Sequence, residues 1–150
     1  MSTLNDRIVM DLRAALKAGE HERLSVLRMA KTALHNKQIA LGRELDETEV
    51  ISVLQKEVKQ RTEAMAEFLA GHRPELAAKE EREAAVLTAY LPAQLTNDEL
   101  STIVDQVIAQ QQASSGATMG PVMSAVQTVV AGRADGQRIA RLVKAKLGLA

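Results

Sequence analysis

Thr96-Asn97-Asp98-Glu99-Leu100-Ser101-Thr102-Ile103-Val104-Asp105-Gln106-Val107-Ile108 carries both a helix start and a helix face. Thr96 with Glu99 three residues on is a capping box, in which each side chain satisfies the other residue's backbone N–H. Leu100, Ile103, Val104, Val107 and Ile108 then recur at steps of three and four, which sets them on one side of a helix. Such a stripe has to be covered by other apolar helix faces, and the flanking sequence supplies them. Ala113-Ser114-Ser115-Gly116 reads as a flexible turn. Thr118 is placed to cap a short helix with Pro121 in its first turn and Val122, Val126, Val129 and Val130 on its apolar side. Next comes Gly132-Arg133-Ala134-Asp135-Gly136. Gly132 suits the left-handed position after a helix, and Asp135 suits the N-cap of the following one. That last helix carries Ile139, Leu142, Val143 and Leu147. Residues 94–150 therefore read as a three-helix bundle.

Upstream, Leu91-Pro92-Ala93-Gln94-Leu95 is the best domain boundary, because the residue before a proline is pushed out of helical geometry. Four more helices precede it. Leu4, Ile8, Leu12, Ala15 and Leu16 mark the first, which Gly19 ends. The second has Leu24, Leu27, Ala30, Leu34 and Leu41 and stops at Gly42. Asp46 and Glu49 form another capping box before Val50, Leu54, Val58, Met65 and Leu69. Gly71-His72-Arg73-Pro74 breaks this third helix, and Pro74 opens a fourth containing Leu76, Ala77, Ala84, Leu87 and Leu91. The expected fold is all-α: an N-terminal four-helix part, residues 1–93, and the C-terminal three-helix bundle, residues 94–150.

The composition agrees. Apolar residues make up 46% of the 150, yet aromatics are only 1%, Phe68 and Tyr90. A core of Ala, Leu, Val, Ile and Met favours packed helices over sheets. The absence of Cys excludes disulfides and thiolate metal sites. There is no run of about 18 apolar residues and no signal-peptide pattern at Met1-Ser2-Thr3-Leu4, so neither a membrane span nor secretion is expected and cytoplasm is the default location.

The usual catalytic constellations are missing. His21-Glu22-Arg23-Leu24-Ser25 begins like a zinc-binding His-Glu-x-x-His but has Ser where the second His is required. His21, His35 and His72 lack metal-ligand spacing. Gly132 and Gly136 do not make a phosphate-binding Walker loop, and Ser114-Ser115 has no nucleophile elbow around it. No metal, cofactor or catalytic residue is expected. Glu80 and Glu83 lie one turn apart and are the weak acidic-site candidates, for acid–base or metal work; a solvated face with a Lys79–Glu83 pair is the plainer reading.

Charge is more informative. The chain is formally neutral, with 19 basic and 19 acidic residues. Against that balance Arg133, Arg138, Arg141, Lys144 and Lys146 follow one another with only Asp135 among them. Lys144 and Lys146 suit the negative end of a helix dipole, but Arg133 and Arg138 lie at the other end. An anion site accounts for them, and a structural Arg133–Asp135 clasp is an equal rival. Lys56, Lys59 and Arg61 form a second basic cluster, either a solvated helix face or a phosphate-facing one. With so few aromatics, a base-stacking reader of single strands is disfavoured, and recognition of backbone and shape in folded RNA fits better.

The sequence also resembles the YqeY family, whose domain forms the C-terminal tail of the B subunit of glutamine-dependent aminoacyl-tRNA amidotransferases. The resemblance is carried by Leu27-Arg28-Met29-Ala30-Lys31 with Ala33-Leu34, Val58-Lys59-Gln60-Arg61 with Glu63-Ala64, and Glu75-Leu76-Ala77 with Glu80 and Glu83. It continues through Tyr90-Leu91-Pro92 with Gln94-Leu95, Glu99-Leu100, Met119-Gly120 with Val122-Met123, and Gly132 to Gly136. Pro121 departs from the basic or polar residue expected after the Met-Gly pair. The resemblance implies an all-helical module that holds tRNA as an accessory and is not catalytic alone. The family label, carbon–nitrogen ligase with glutamine as amido-N-donor, then describes the parent complex. Arg133, Arg138, Arg141, Lys144, Lys59 and Arg61 are the expected RNA contacts, and Gly132, Asp135 and Gly136 shape the turn. Two alternatives stand beside this reading: an amidotransferase component using Glu80, Glu83 and Lys59 in a site completed by partner subunits, and a protein-interaction scaffold.

Overall fold

A computed structural model describes residues 3–114 and 116–149, apart from the side chain of Ser114. Among the described residues there are seven α-helices and no strand: α1 (Thr3–Ala18), α2 (His21–Leu41), α3 (Glu47–Ala70), α4 (Pro74–Thr88), α5 (Asn97–Ser114), α6 (Met119–Val130) and α7 (Gly136–Leu147). The chain divides into two compact units, Met1–Leu91 with α1 to α4 and Pro92–Ala150 with α5 to α7.

Local rules place most helix starts. The Glu49 amide donates to Asp46 at 2.8 Å and the Asp46 amide to the Glu49 carboxylate at 3.0 Å, closing the box that begins α3. Thr96 and Glu99 exchange the same pair of bonds at 3.1 Å each. Asp135 accepts from the Arg138 amide at 2.8 Å and caps α7. Thr118 does occupy the N-cap of α6, but its side chain makes no capping bond.

The breaks are less literal. Between α3 and α4, Gly71 keeps an ordinary φ of −87° and His72 takes the left-handed turn at 59°. After α6 two successive residues are left-handed, Ala131 at 48° and Gly132 at 83°. The alanine carries a cost of roughly 1–2 kcal/mol that a glycine would avoid, while Gly132 takes its own positive φ freely.

Each unit has its own core. In the first, Ile8 and Ala15 of α1 meet Leu24, Val26, Leu27, Ala30 and Leu34 of α2, with Leu45, Val50, Leu54, Leu87 and Tyr90. In the second, Leu95, Leu100, Val104 and Val107 meet Val122, Val126, Val130, Ala134, Ile139 and Val143. Four residues expected on apolar stripes are exposed instead: Leu16, Leu41, Leu69 and Val129. All four lie in the last turn of their helix. The period is continued there, but no neighbouring helix covers it.

Candidate nucleic-acid interface

The basic segment is divided between two tasks. Leu95 donates its amide to the Arg133 carbonyl at 2.7 Å. The Arg133 guanidinium donates in return to the Ala93 carbonyl at 3.0 Å. Arg138 Nη2 reaches the Leu95 carbonyl at 2.9 Å and the Asn97 side-chain oxygen at 3.1 Å. Together these bonds strap residues 93–97 onto the α6–α7 turn. Asp135 is occupied with capping α7, and Arg133 turns to Ala93. A guanidinium suits such a role because its donors fan out in a rigid plane and a main-chain carbonyl accepts them well. Lys146 is likewise engaged, 2.7 Å from Asp105 of α5.

Arg141 and Lys144 differ. Both are exposed and make no hydrogen bond or ion pair with the described residues. With Gln137 and Ala140 they line a shallow, open depression along α7. Positions 137, 140, 141 and 144 are one helical face, so two cations and one amide share the lining of the depression with a small residue. At the opposite end of the strap, the Thr96 amide and hydroxyl, and more weakly Arg133, hold the Glu99 carboxyl below its usual range.

In the N-terminal unit the cluster on α3 also divides. Lys56 and Lys59 are exposed. Arg61 is only 5% exposed. Its Nη1 donates to the Glu57 carbonyl at 3.1 Å and carboxylate at 3.0 Å, its Nε lies 3.5 Å from the Glu83 carboxylate of α4, and its Nη2 lies 3.7 Å from the Met29 sulfur of α2. Arg61 therefore joins three helices and has no face to offer a phosphate. Glu83 is buried against it, not paired with Lys79 along the helix. Glu80 is half-buried, and no hydrogen bond or ion pair among the described residues joins Glu80, Glu83 and Lys59.

Further exposed cations lie on α2: Arg28, Lys31 and Lys37. Their signal in the sequence is an acid-free run, since no Asp or Glu occurs between Glu22 and Glu44. The remaining charged groups of this unit are mostly internal ties. Arg82 holds Glu22 with two bonds of 2.8 and 3.3 Å, linking α4 to α2. The Tyr90 hydroxyl donates to Asp11, which also has Arg23 at 3.8 Å, and the Arg7 guanidinium sits 4.8 Å over the Tyr90 ring. Burial first, then the Asp11 bond, pushes the Tyr90 phenol up to about 12. Among the described residues no three His, Cys, Asp or Glu side chains are grouped to hold a metal, and no helix is long and apolar enough to cross a membrane.

The sequence profile of the family described as Yqey-like protein matches residues 5–147. The chain is also similar to a Saccharomyces cerevisiae protein named "Altered inheritance of mitochondria protein 41, mitochondrial". The two are 33% identical over 97 residues, covering 64% of this chain and 51% of the yeast protein. The Lachancea thermotolerans protein of the same name is 33% identical over 82 residues, 54% of this chain and 44% of its own. The chain spans about half the length of the curated relatives it matches.

Proposed function

The chain belongs to the Yqey-like family, and from that premise we propose that it is an RNA-binding accessory module whose ligand is tRNA. The observation that carries this reading is the α7 face. Its two exposed cations, Arg141 and Lys144, make no bond within the described chain, and with Ala140 they line an open depression. Cations left free beside a small residue suit close approach of a phosphate backbone, which is read by charge and not by base edges. Lys59, with Arg28 and Lys31, are the contacts of the N-terminal unit. Arg133 and Arg138 support the surface by holding the strap, and Arg61 is withdrawn from the contact set because it is buried. The module performs no chemistry alone in this reading. Any carbon–nitrogen ligation with glutamine as amido donor belongs to amidotransferase subunits with which it works. Its proposed location is a tRNA-containing compartment, with cytoplasm the first choice; the yeast relatives are named as mitochondrial.

The test is a salt titration of tRNA binding, followed by fluorescence anisotropy. Each lost phosphate contact lowers the slope of log affinity against log salt by about 1. Arg141→Ala with Lys144→Ala is expected to lower the slope by about 2 with no change in stability. Absence of binding at low salt, or a slope indifferent to the double substitution, refutes the α7 assignment.

A further inference from the structure

Arg61 is a buried guanidinium whose donors are poorly served. Nη1 has two oxygen acceptors from Glu57. Nε is buried without a hydrogen bond, its nearest carboxylate oxygen being that of Glu83 at 3.5 Å. Nη2 faces the Met29 thioether at 3.7 Å. A thioether is a weak acceptor, so a charged donor that has left water receives little in return on that side. Met29 as a residue is 52% exposed, which brings its side chain within reach of solvent and small oxidants, and its sulfur faces the guanidinium. The chain has no cysteine, which leaves its six methionines as the only sulfur.

We propose that Met29 is an oxidation site whose sulfoxide locks the junction of α2, α3 and α4 through Arg61. The reaction is a two-electron oxygen transfer from a peroxide. The Met29 sulfur lone pair attacks one peroxide oxygen, the O–O bond breaks, and a sulfur–oxygen bond forms. Met29 becomes the sulfoxide and hydrogen peroxide leaves as water. The new oxygen lies one bond beyond the sulfur, toward a donor now 3.7 Å from it, and is a far stronger acceptor. Oxidation usually disturbs a core because it puts a polar group among apolar ones. Here the residue is half in solvent and its sulfur already faces a charge, so the sign reverses. The cost of wetting is small, and the gain is a hydrogen bond to a charged donor. Met10 is more exposed, at 67%, but among the described residues no charged group donates a hydrogen bond to it, so its oxidation has no such consequence.

The experiment oxidises the full chain with hydrogen peroxide, locates sulfoxide by peptide mass mapping, and measures amide hydrogen exchange across α2 and α3. Met29→Leu, similar in volume and unable to form the sulfoxide, is oxidised in parallel so that effects of the other methionines cancel. Relative to oxidised Met29→Leu, oxidised wild type is expected to exchange about tenfold more slowly around residues 29 and 61, the size of one added hydrogen bond to a charged group. Methionine sulfoxide reductase should reverse the difference, and Met29→Gln, with an oxygen acceptor on a similar stem, should reproduce it without peroxide. Equal or faster exchange in oxidised wild type, or no sulfoxide at Met29 where Met10 is oxidised, overturns the proposal. tRNA affinity plays no part in the readout, so the RNA reading and this one fail separately.

Discussion

Arg138→Ala separates the two tasks of the basic segment. In the folded chain Arg138 Nη2 donates to the Leu95 carbonyl at 2.9 Å in a part-buried bond and to Asn97 at 3.1 Å in an exposed one. A bond from a charged donor contributes about 1.5–3 kcal/mol when buried, and an exposed one contributes little. Removing the guanidinium also loosens Leu95, whose side chain is 5% exposed at the edge of the second core. The expected loss is about 2 kcal/mol in the Pro92–Ala150 unit. For a unit of this size that is a large share of a total of roughly 3–9 kcal/mol and lowers its melting temperature by roughly 10 °C. Arg138→Lys keeps the charge but loses the planar fork, and should recover part of the stability. The assay is urea denaturation of the full chain, with hydrogen exchange at Val122, Val126, Ile139 and Val143 reporting on the second unit. The tRNA salt slope, measured well below the transition, should be unchanged. If Arg138→Ala leaves the second unit within about 0.5 kcal/mol of wild type and lowers the slope by about 1, Arg138 is a phosphate contact and the strap argument is wrong.

Three further outcomes follow from internal charges. Arg61→Ala leaves Glu57 and Glu83 without their shared cation, which should cost the first unit about 3–5 kcal/mol in denaturant unfolding; a loss below about 1 kcal/mol would mean that water already reaches the cluster. Glu49 is held down to about 2 from an ordinary value of 4.5, first by Arg43 and then by the Asp46 amide. A lowered carboxylate stabilises the fold above its unfolded value and loses that contribution as pH falls from about 4.5 toward 2. The urea midpoint of wild type should therefore fall over that window more steeply than that of Glu49→Gln, and parallel curves would contradict it. Tyr90 has the opposite sign: its phenol is raised to about 12 from 10.0, so the protonated form is favoured and its stabilisation disappears as pH rises from 10 through 12. Tyr90 is the only tyrosine, so ultraviolet titration of the phenolate reads it directly. Tyr90→Phe should cost about 1–2 kcal/mol at neutral pH and flatten the alkaline limb.

The interactions that were legible beforehand are short in sequence. The Asp46–Glu49 and Thr96–Glu99 boxes and the Asp135 cap each lie within four residues, so backbone geometry alone brings the groups together. The stripes of Leu100, Val104 and Val107 or Ile139 and Val143 are equally local, because the helical period decides which residues share a face. Val26 was not expected in the core; it lies to one side of the Leu24, Leu27 and Leu34 stripe and is buried all the same. At the candidate site, the cations of α7 could be read off the chain, but their division could not. Arg133 and Arg138 find carbonyls 40 and 43 residues away, and nothing in their own neighbourhood distinguishes them from Arg141.

By itself the sequence determined an all-helical chain, the starts of its helices, its family resemblance and the position of its basic segment. These rest on period, capping and composition, which act over a turn or two. Only the tertiary structure decided that Arg61 is an internal bridge while Lys59 on the same helix faces water, that Glu83 belongs to Arg61 and not to Lys79, and that Arg141 and Lys144 are the cations left over. A long charged side chain sweeps several ångströms, and its partner is whichever opposite charge or carbonyl packing brings within that sweep. That depends on how helices distant in sequence meet.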